Sequence, residues 1–227
     1  MGSALAWAGL LAPTTRLLPP LALGADPLPF LHAWARRVLP ALGLEVELMG
    51  SLDLDAPLWV ANHLSWVDPV ALMALRPMGT IAKGDLSRYP LIGRWAKRAG
   101  IRFVERGDPE SRAAALAAFV EDLRAGRKML LFPEGTTTRG ERLAPLYPGG
   151  LRAAWELGLR VQPLRLASPA PHYPWTGDET LLPHLRTLLA TRTPLRIEAL
   201  PSLRATDFPE PEAWLQALQH ALSPRIP

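Results

Sequence analysis

Pro57-Leu58-Trp59-Val60-Ala61-Asn62-His63-Leu64-Ser65-Trp66-Val67-Asp68 takes the chain from an apolar run, through a polar turn, to the start of a helix. Residues 57–61 read as a short buried strand, and the helix is predicted over 65–75. The same strand-then-helix rhythm recurs along the chain. Strands are predicted at 44–49, 57–61, 79–83, 101–105, 128–132, 160–166 and 195–199. Helices are predicted at 65–75, 91–99, 109–124, 149–157, 179–190 and 210–221. The helix over 109–124 is well punctuated, with Pro109 at its first position, Glu110 in its first turn, Arg124 near its end and Gly126 just beyond. Such alternation predicts an α/β fold, a mixed and largely parallel sheet covered by helices. No internal repeat interrupts it. The richest loop, 167–177 with Pro169, Pro171 and Pro174, is either a lid or a surface connection, and the connection is the expectation.

The 227 residues suffice for one well-buried domain. With 48% hydrophobic and 20% charged residues the chain is too apolar for disorder, and its 25 prolines imply frequent breaks. Cysteine is absent, which excludes disulfides, Cys-ligated metals and a covalent thioacyl-cysteine intermediate. The net charge of +4 and pI near 9.9 come largely from arginine, since lysine occurs only at Lys83, Lys97 and Lys128. The arginines are scattered or paired, as at Arg36-Arg37, without the clustered stripe of a nucleic-acid binder. A membrane surface or a phosphorylated small ligand suits them better.

The N-terminal stretch 1–25 is apolar but lacks a basic start, and its longest unbroken run, 4–12, is short of the roughly 18 to 20 residues of a spanning helix. Arg16, Pro13, Pro19 and Pro20 divide it, so shallow insertion into one leaflet is expected rather than a signal peptide. Between 29 and 42, Phe30, Trp34, Val38 and Leu42 recur at four-residue spacing, the mark of an amphipathic helix. Its apolar face fits either the domain core or a bilayer interface. Arg36 and Arg37 would favour anionic headgroups. Residues 1–43 are therefore expected to form a membrane-associating helical segment ahead of a domain spanning 44–227.

His63 and Asp68 stand five positions apart, about 140° around a helix, so they cannot share a helical face. Ser65-Trp66-Val67-Asp68 has the form of a capping box, which would start the helix at Ser65 and leave His63 in the loop before it. A carboxylate in the first turn can then reach the imidazole, fix its tautomer and leave the other nitrogen free to take a proton. The alternative makes Asp68 a cap and His63 an ordinary loop histidine. Further on, the strand over 128–132 empties into Pro133-Glu134-Gly135-Thr136-Thr137-Thr138. Ligands of open α/β sheets sit at such carboxyl ends, and Gly135 would admit a substrate close to backbone N–H groups able to hold an oxyanion. Between the two lies Gly100-Ile101-Arg102-Phe103-Val104-Glu105-Arg106, which would bring Arg106 to the same sheet edge, with Lys83 similarly placed.

Taken in order, these segments resemble the motifs of the glycerophospholipid acyltransferases, of the bacterial 1-acyl-sn-glycerol-3-phosphate (lysophosphatidic acid) type. Asn62-His63 with Asp68 resembles the first motif, 100–106 the second, 132–136 the third and Val161-Gln162-Pro163 the fourth, over about residues 44–167. The resemblance implies that 44–227 is an α/β acyltransferase domain. It also implies that His63 is the general base, Asp68 orients it, Arg106 helps hold the acceptor headgroup, and Glu134 with Gly135 shapes the acceptor and oxyanion region. Lys83, Thr136 and Arg139 complete the expected substrate-binding set. One position departs from the pattern. Members acting on lysophosphatidic acid carry arginine directly after the third-motif threonine, whereas here Thr137 and Thr138 intervene before Arg139. A related branch acylating lyso-ornithine lipids is similar to this chain in lacking that arginine.

The implied reaction moves a fatty acyl group from acyl-CoA or acyl carrier protein (acyl-ACP) to a lysolipid hydroxyl, with no metal, no cofactor and no covalent enzyme intermediate. Phosphatidic acid formation is the first expectation. Acylation of lyso-ornithine lipid or another lysolipid, or non-catalytic lipid binding, are its rivals. A serine hydrolase is disfavoured because no Gly-x-Ser-x-Gly elbow occurs. The expected location is peripheral or monotopic, on the cytoplasmic face of the membrane.

Overall fold

The computed structural model describes residues 26–84, 99–105, 107–176 and 179–224. The N-terminal stretch 1–25, the expected helix at 91–99 except for Ala99, Arg106 and the Lys83 side chain lie outside the described residues. In chain order the elements are α1 (Leu28–Ala41), β1 (Leu44–Met49), β2 (Leu58–Ala61), α2 (Asp68–Met73), β3 (Gly79–Lys83), β4 (Ile101–Val104) and α3 (Pro109–Arg124). There follow β5 (Met129–Leu131), α4 (Gly149–Glu156), β6 (Arg160–Ala167), α5 (Leu181–Ala190), β7 (Thr193–Ala199), the short β8 (Leu203–Arg204) and α6 (Pro211–Leu222).

The described strands form one mixed sheet in the order β1-β7-β6-β2-β5-β3-β4, with β8 added beside β6. From β6 to β4 every pairing is parallel, as predicted for strands joined by helical crossovers. Among the described strands β7 and β8 run antiparallel to β6, and β1 pairs parallel to β7.

Burial explains why β2 is central. All of its residues are buried, and alternate ones serve opposite faces. Trp59 and Ala61 join the cluster built from α1, α2 and α5, whereas Leu58 and Val60 join the one built from α3, α4 and α6. Helices therefore cover both faces. By contrast β7 alternates buried and exposed residues, because one face alone is covered there. Arg76 stacks on the Trp59 ring at 4.1 Å and donates to the Leu54 and Ala56 carbonyls, and burial pulls its pKa down to about 10.

The amphipathic helix packs part of its apolar face on the domain. Ala35, Val38 and Leu39 are buried against α2 and β1, and the His32 ring donates from Nδ1 to the Met73 carbonyl at 2.7 Å. Val38 and Leu42 of the predicted face belong to the core, Phe30 and Trp34 are half-buried, and Arg36 and Arg37 remain exposed. No described helix is long and apolar enough to cross a membrane.

Candidate active site

Two neighbouring strands deliver the site. β2 and β5 run parallel with Leu58 opposite Met129 and Val60 opposite Leu131. The same offset of 71 carried past the strand ends sets His63 beside Glu134, and the His63 N–H donates to Glu134 Oε1 at 2.7 Å. On the other side Asn62 extends the pairing to β6. Its amide donates to the Leu166 carbonyl at 3.0 Å and accepts from the Leu166 N–H at 2.7 Å. The backbone on which His63 sits is thus fixed from both sides.

His63 Nδ1 lies 2.8 Å from Asp68 Oδ2. An ionised carboxylate only accepts, so Nδ1 donates, and in the neutral ring Nε2 is the nitrogen that carries the lone pair. Nε2 has no hydrogen-bond partner among the described residues, and the side chain is 18% exposed. Phe132 stacks on the ring at 4.1 Å with an interplanar angle of 22° and holds its plane. Asp68 is fully buried. Its Oδ2 also accepts from the backbone N–H groups of Leu64 at 2.6 Å and Ser65 at 2.7 Å, and its Oδ1 accepts from the Tyr173 hydroxyl at 2.5 Å.

This geometry corrects the expected cap. The helix begins at Asp68, not Ser65, with Val67 at its N-cap. Residues 65–68 instead form a turn closed by the Asp68 N–H on the Ser65 carbonyl at 3.0 Å. The carboxylate half of the capping box forms, the Ser65 N–H donating to Asp68, but the Ser65 hydroxyl is buried without a partner among the described residues. Consequently Ser65→Ala is expected to shift stability by less than about 0.5 kcal/mol in a urea titration, where loss of a working cap would cost about 1 kcal/mol.

Glu134 is buried, and both of its oxygens accept from backbone, Oε1 from His63 and Oε2 from the Ala144 N–H at 2.8 Å. Burial pushes its carboxyl above the usual range, opposed by those two N–H groups. The group therefore ties loop to loop rather than facing solvent. Gly135 has φ +63°, and a Cβ there would fall 2.8 Å from the Tyr147 ring. Its own N–H is spent on the Phe132 carbonyl. The following N–H groups of Thr136 and Thr137 have no acceptor among the described residues. The Thr138 N–H donates to the His63 carbonyl at 2.8 Å, and Arg139 is exposed. His63, Asp68, Glu134, Gly135 and Thr136 are accordingly gathered at one sheet edge. Lys83 ends β3, one strand beyond β5.

The described part of the 167–177 connection is exposed at Ala167, Pro169 and Pro171 but is anchored at other points. Ala170 and Tyr173 are buried, and the Trp175 N–H donates to the Leu64 carbonyl at 2.9 Å. Tyr173 was not among the candidates from sequence, and nothing in its spacing marks it.

The family profile described as Acyltransferase matches residues 53–167, which include every element of this site except Tyr173 and its neighbours. The chain belongs to the Acyltransferase family. It is 36% identical over 192 residues to a lyso-ornithine lipid O-acyltransferase of Pseudomonas aeruginosa, covering 82% of this chain and 74% of that protein. A 1-acyl-sn-glycerol-3-phosphate acyltransferase of Neisseria meningitidis is 33% identical over 150 residues, or 65% of this chain and 57% of that one. Among solved structures, the 1-acyl-sn-glycerophosphate (LPA) acyltransferase PlsC from Thermotoga maritima superposes with a TM-score of 0.70 over 97% of this chain and 91% of that chain, at 17% identity. That likeness concerns the fold. As a member of the Acyltransferase family the chain is an enzyme of acyl transfer.

Proposed function

We propose that this acyltransferase moves a fatty acyl group from a thioester of coenzyme A or acyl carrier protein to the free hydroxyl of a lyso-ornithine lipid. The observation that carries the chemistry is the oriented His63 ring, with Nδ1–H on Asp68 and Nε2 open. Nε2 takes the acceptor hydroxyl proton as the oxygen attacks the thioester carbonyl. Thr136 and Thr137 present the N–H groups for the resulting oxyanion. Its collapse breaks the C–S bond, and His63 returns the proton to the departing thiolate.

The acceptor follows from the turn after β5 together with the relatives. The position after Thr136 is the neutral Thr137, and Thr138 is engaged with the His63 backbone, so no cation is fixed where the resemblance places a phosphate contact. An ornithine headgroup carries a carboxylate and an ammonium but no phosphate. The lyso-ornithine lipid enzyme of Pseudomonas aeruginosa also spans more of this chain than the Neisseria glycerophosphate enzyme does. A second reading, 1-acyl-sn-glycerol-3-phosphate as acceptor, is favoured by the exposed Arg139, from which a shifted guanidinium could serve a phosphate. In both readings the enzyme works at a membrane surface, toward which the exposed Arg36 and Arg37 of α1 would turn.

An acceptor screen with purified protein tests this, each lysolipid being offered with acyl-CoA and with acyl-ACP. The expected result is a kcat/KM for lyso-ornithine lipid at least about 10-fold above that for lysophosphatidic acid. The opposite order would establish the phosphatidic acid reading instead.

A further inference from the structure

The carboxylate of Asp68 is loaded unequally. Oδ2 accepts from His63, Leu64 and Ser65, whereas Oδ1 accepts from Tyr173, which lies 105 positions away. A carboxylate turns readily about its last bond, so a partner on Oδ1 fixes which oxygen meets the imidazole. Tyr173 is well placed for this, being fully buried. Burial and the Asp68 charge beside it push its phenol well above the usual range, so it stays a donor throughout the working pH.

Tyr173 is itself held. The Tyr173 and His172 carbonyls lie 3.2 and 3.0 Å from His184 Nε2. On its other side His184 Nδ1 accepts from the Trp66 indole N–H at 2.9 Å. An indole only donates, so the proton of His184 sits on Nε2 and points at those two carbonyls. Trp66 lies between His63 and Asp68 in sequence. The connection after β6 is thereby joined to the 63–68 loop at Tyr173–Asp68, at Trp175–Leu64 and through His184–Trp66.

We propose that Tyr173 is a positioning residue of this acyltransferase, its hydroxyl aiming Asp68 at His63, with His184 clamping the Tyr173 backbone to Trp66 of the same loop. The inference rests on the reading of His63 as the base. Removing the hydroxyl leaves the buried Oδ1 without its donor and concentrates the carboxylate charge on Oδ2. Both the protonated form of Asp68 and the imidazolium of His63 are then favoured, and each moves the acid limb of the rate profile to higher pH. The titratable groups facing the carboxylate and imidazole are each other and Glu134, and those facing the tyrosine segment are His172 and His184.

Tyr173→Phe tests the proposal, with His63→Ala assayed beside it. The expected result for Tyr173→Phe is kcat lower by about 10- to 100-fold, an acceptor KM nearly unchanged, and a lower midpoint of the kcat/KM profile displaced upward. A merely structural role would not move that midpoint. If His63→Ala abolishes turnover while Tyr173→Phe keeps the parent kcat and profile, the proposal is overturned and the base assignment stands. If His63→Ala retains turnover, the base assignment itself fails. Should the phenylalanine variant not fold, 3-fluorotyrosine at 173 keeps the shape with a stronger donor. The midpoint should then move downward, and an unmoved midpoint overturns the proposal.

Discussion

Alanine in place of His63 is expected to lower kcat by about 10²–10⁴-fold, with vesicle binding retained. The size of the loss follows from the lack of a nearby substitute. Asp68 is fully buried with its oxygens engaged, and both oxygens of Glu134 are occupied by backbone N–H groups. Neither can take a proton from a bound hydroxyl without breaking the loop. The fold should survive, because the backbone contacts of His63 to Glu134 and Thr138 do not involve the ring. The vacated space against Phe132 is shaped for an imidazole. Added free imidazole should therefore restore part of the turnover. Steady-state rates with and without imidazole, alongside vesicle co-sedimentation, are the measurement. A variant retaining most of its kcat would remove His63 from the chemistry.

Asp68→Asn is expected to damage rate and stability together. Three donors converge on Oδ2 and one on Oδ1. An asparagine amide offers one oxygen and one NH₂, so in either orientation donors face donors. With the NH₂ toward His63 it stabilises the tautomer with the proton on Nε2, which cannot act as base. In the serine-protease triad the equivalent change costs about 10⁴ in kcat, and a comparable loss is expected here. Unlike His63→Ala, this variant should also lose about 2–4 kcal/mol in urea unfolding, because buried N–H and O–H groups lose their acceptor. The double variant should be little slower than the slower single one, since the two residues act as a unit. An Asp68→Asn enzyme within a factor of about 10 of the parent kcat would reduce Asp68 to a structural role.

The strand positions and the contact between His63 and Asp68 were legible because each depends on local pattern. The short runs predicted as strands at 44–49 and 79–83 have the bounds observed for β1 and β3, and the punctuation of Pro109 and Gly126 brackets α3. The capping box was misread for a local reason too. Ser65 has the right spacing from Asp68, but a turn intervenes and the helix starts at the carboxylate. What sequence could not supply are contacts whose partners are far apart. Tyr173 meets Asp68 through a proline-rich connection with no periodicity, and the Trp66–His184 bond spans 118 positions. The reversal of strand sense from β6 to β7 and β8 is likewise set by tertiary packing, which strand propensity does not encode.

The carboxylate of Glu134 closes the loop from 135 to 143 by accepting from Ala144 and ties it to the loop after β2 by accepting from His63, with the Tyr147 N–H on the Pro133 carbonyl just outside. The tie from this loop to His63 at Thr138 also runs through a backbone N–H. Side chains at Thr136, Thr137 and Arg139 can therefore be exchanged without moving the imidazole. On the proposed mechanism, the enzyme would be a fixed proton-transfer unit fitted with a replaceable headgroup cassette. New acceptors should be sought by varying those three positions while leaving Glu134 alone.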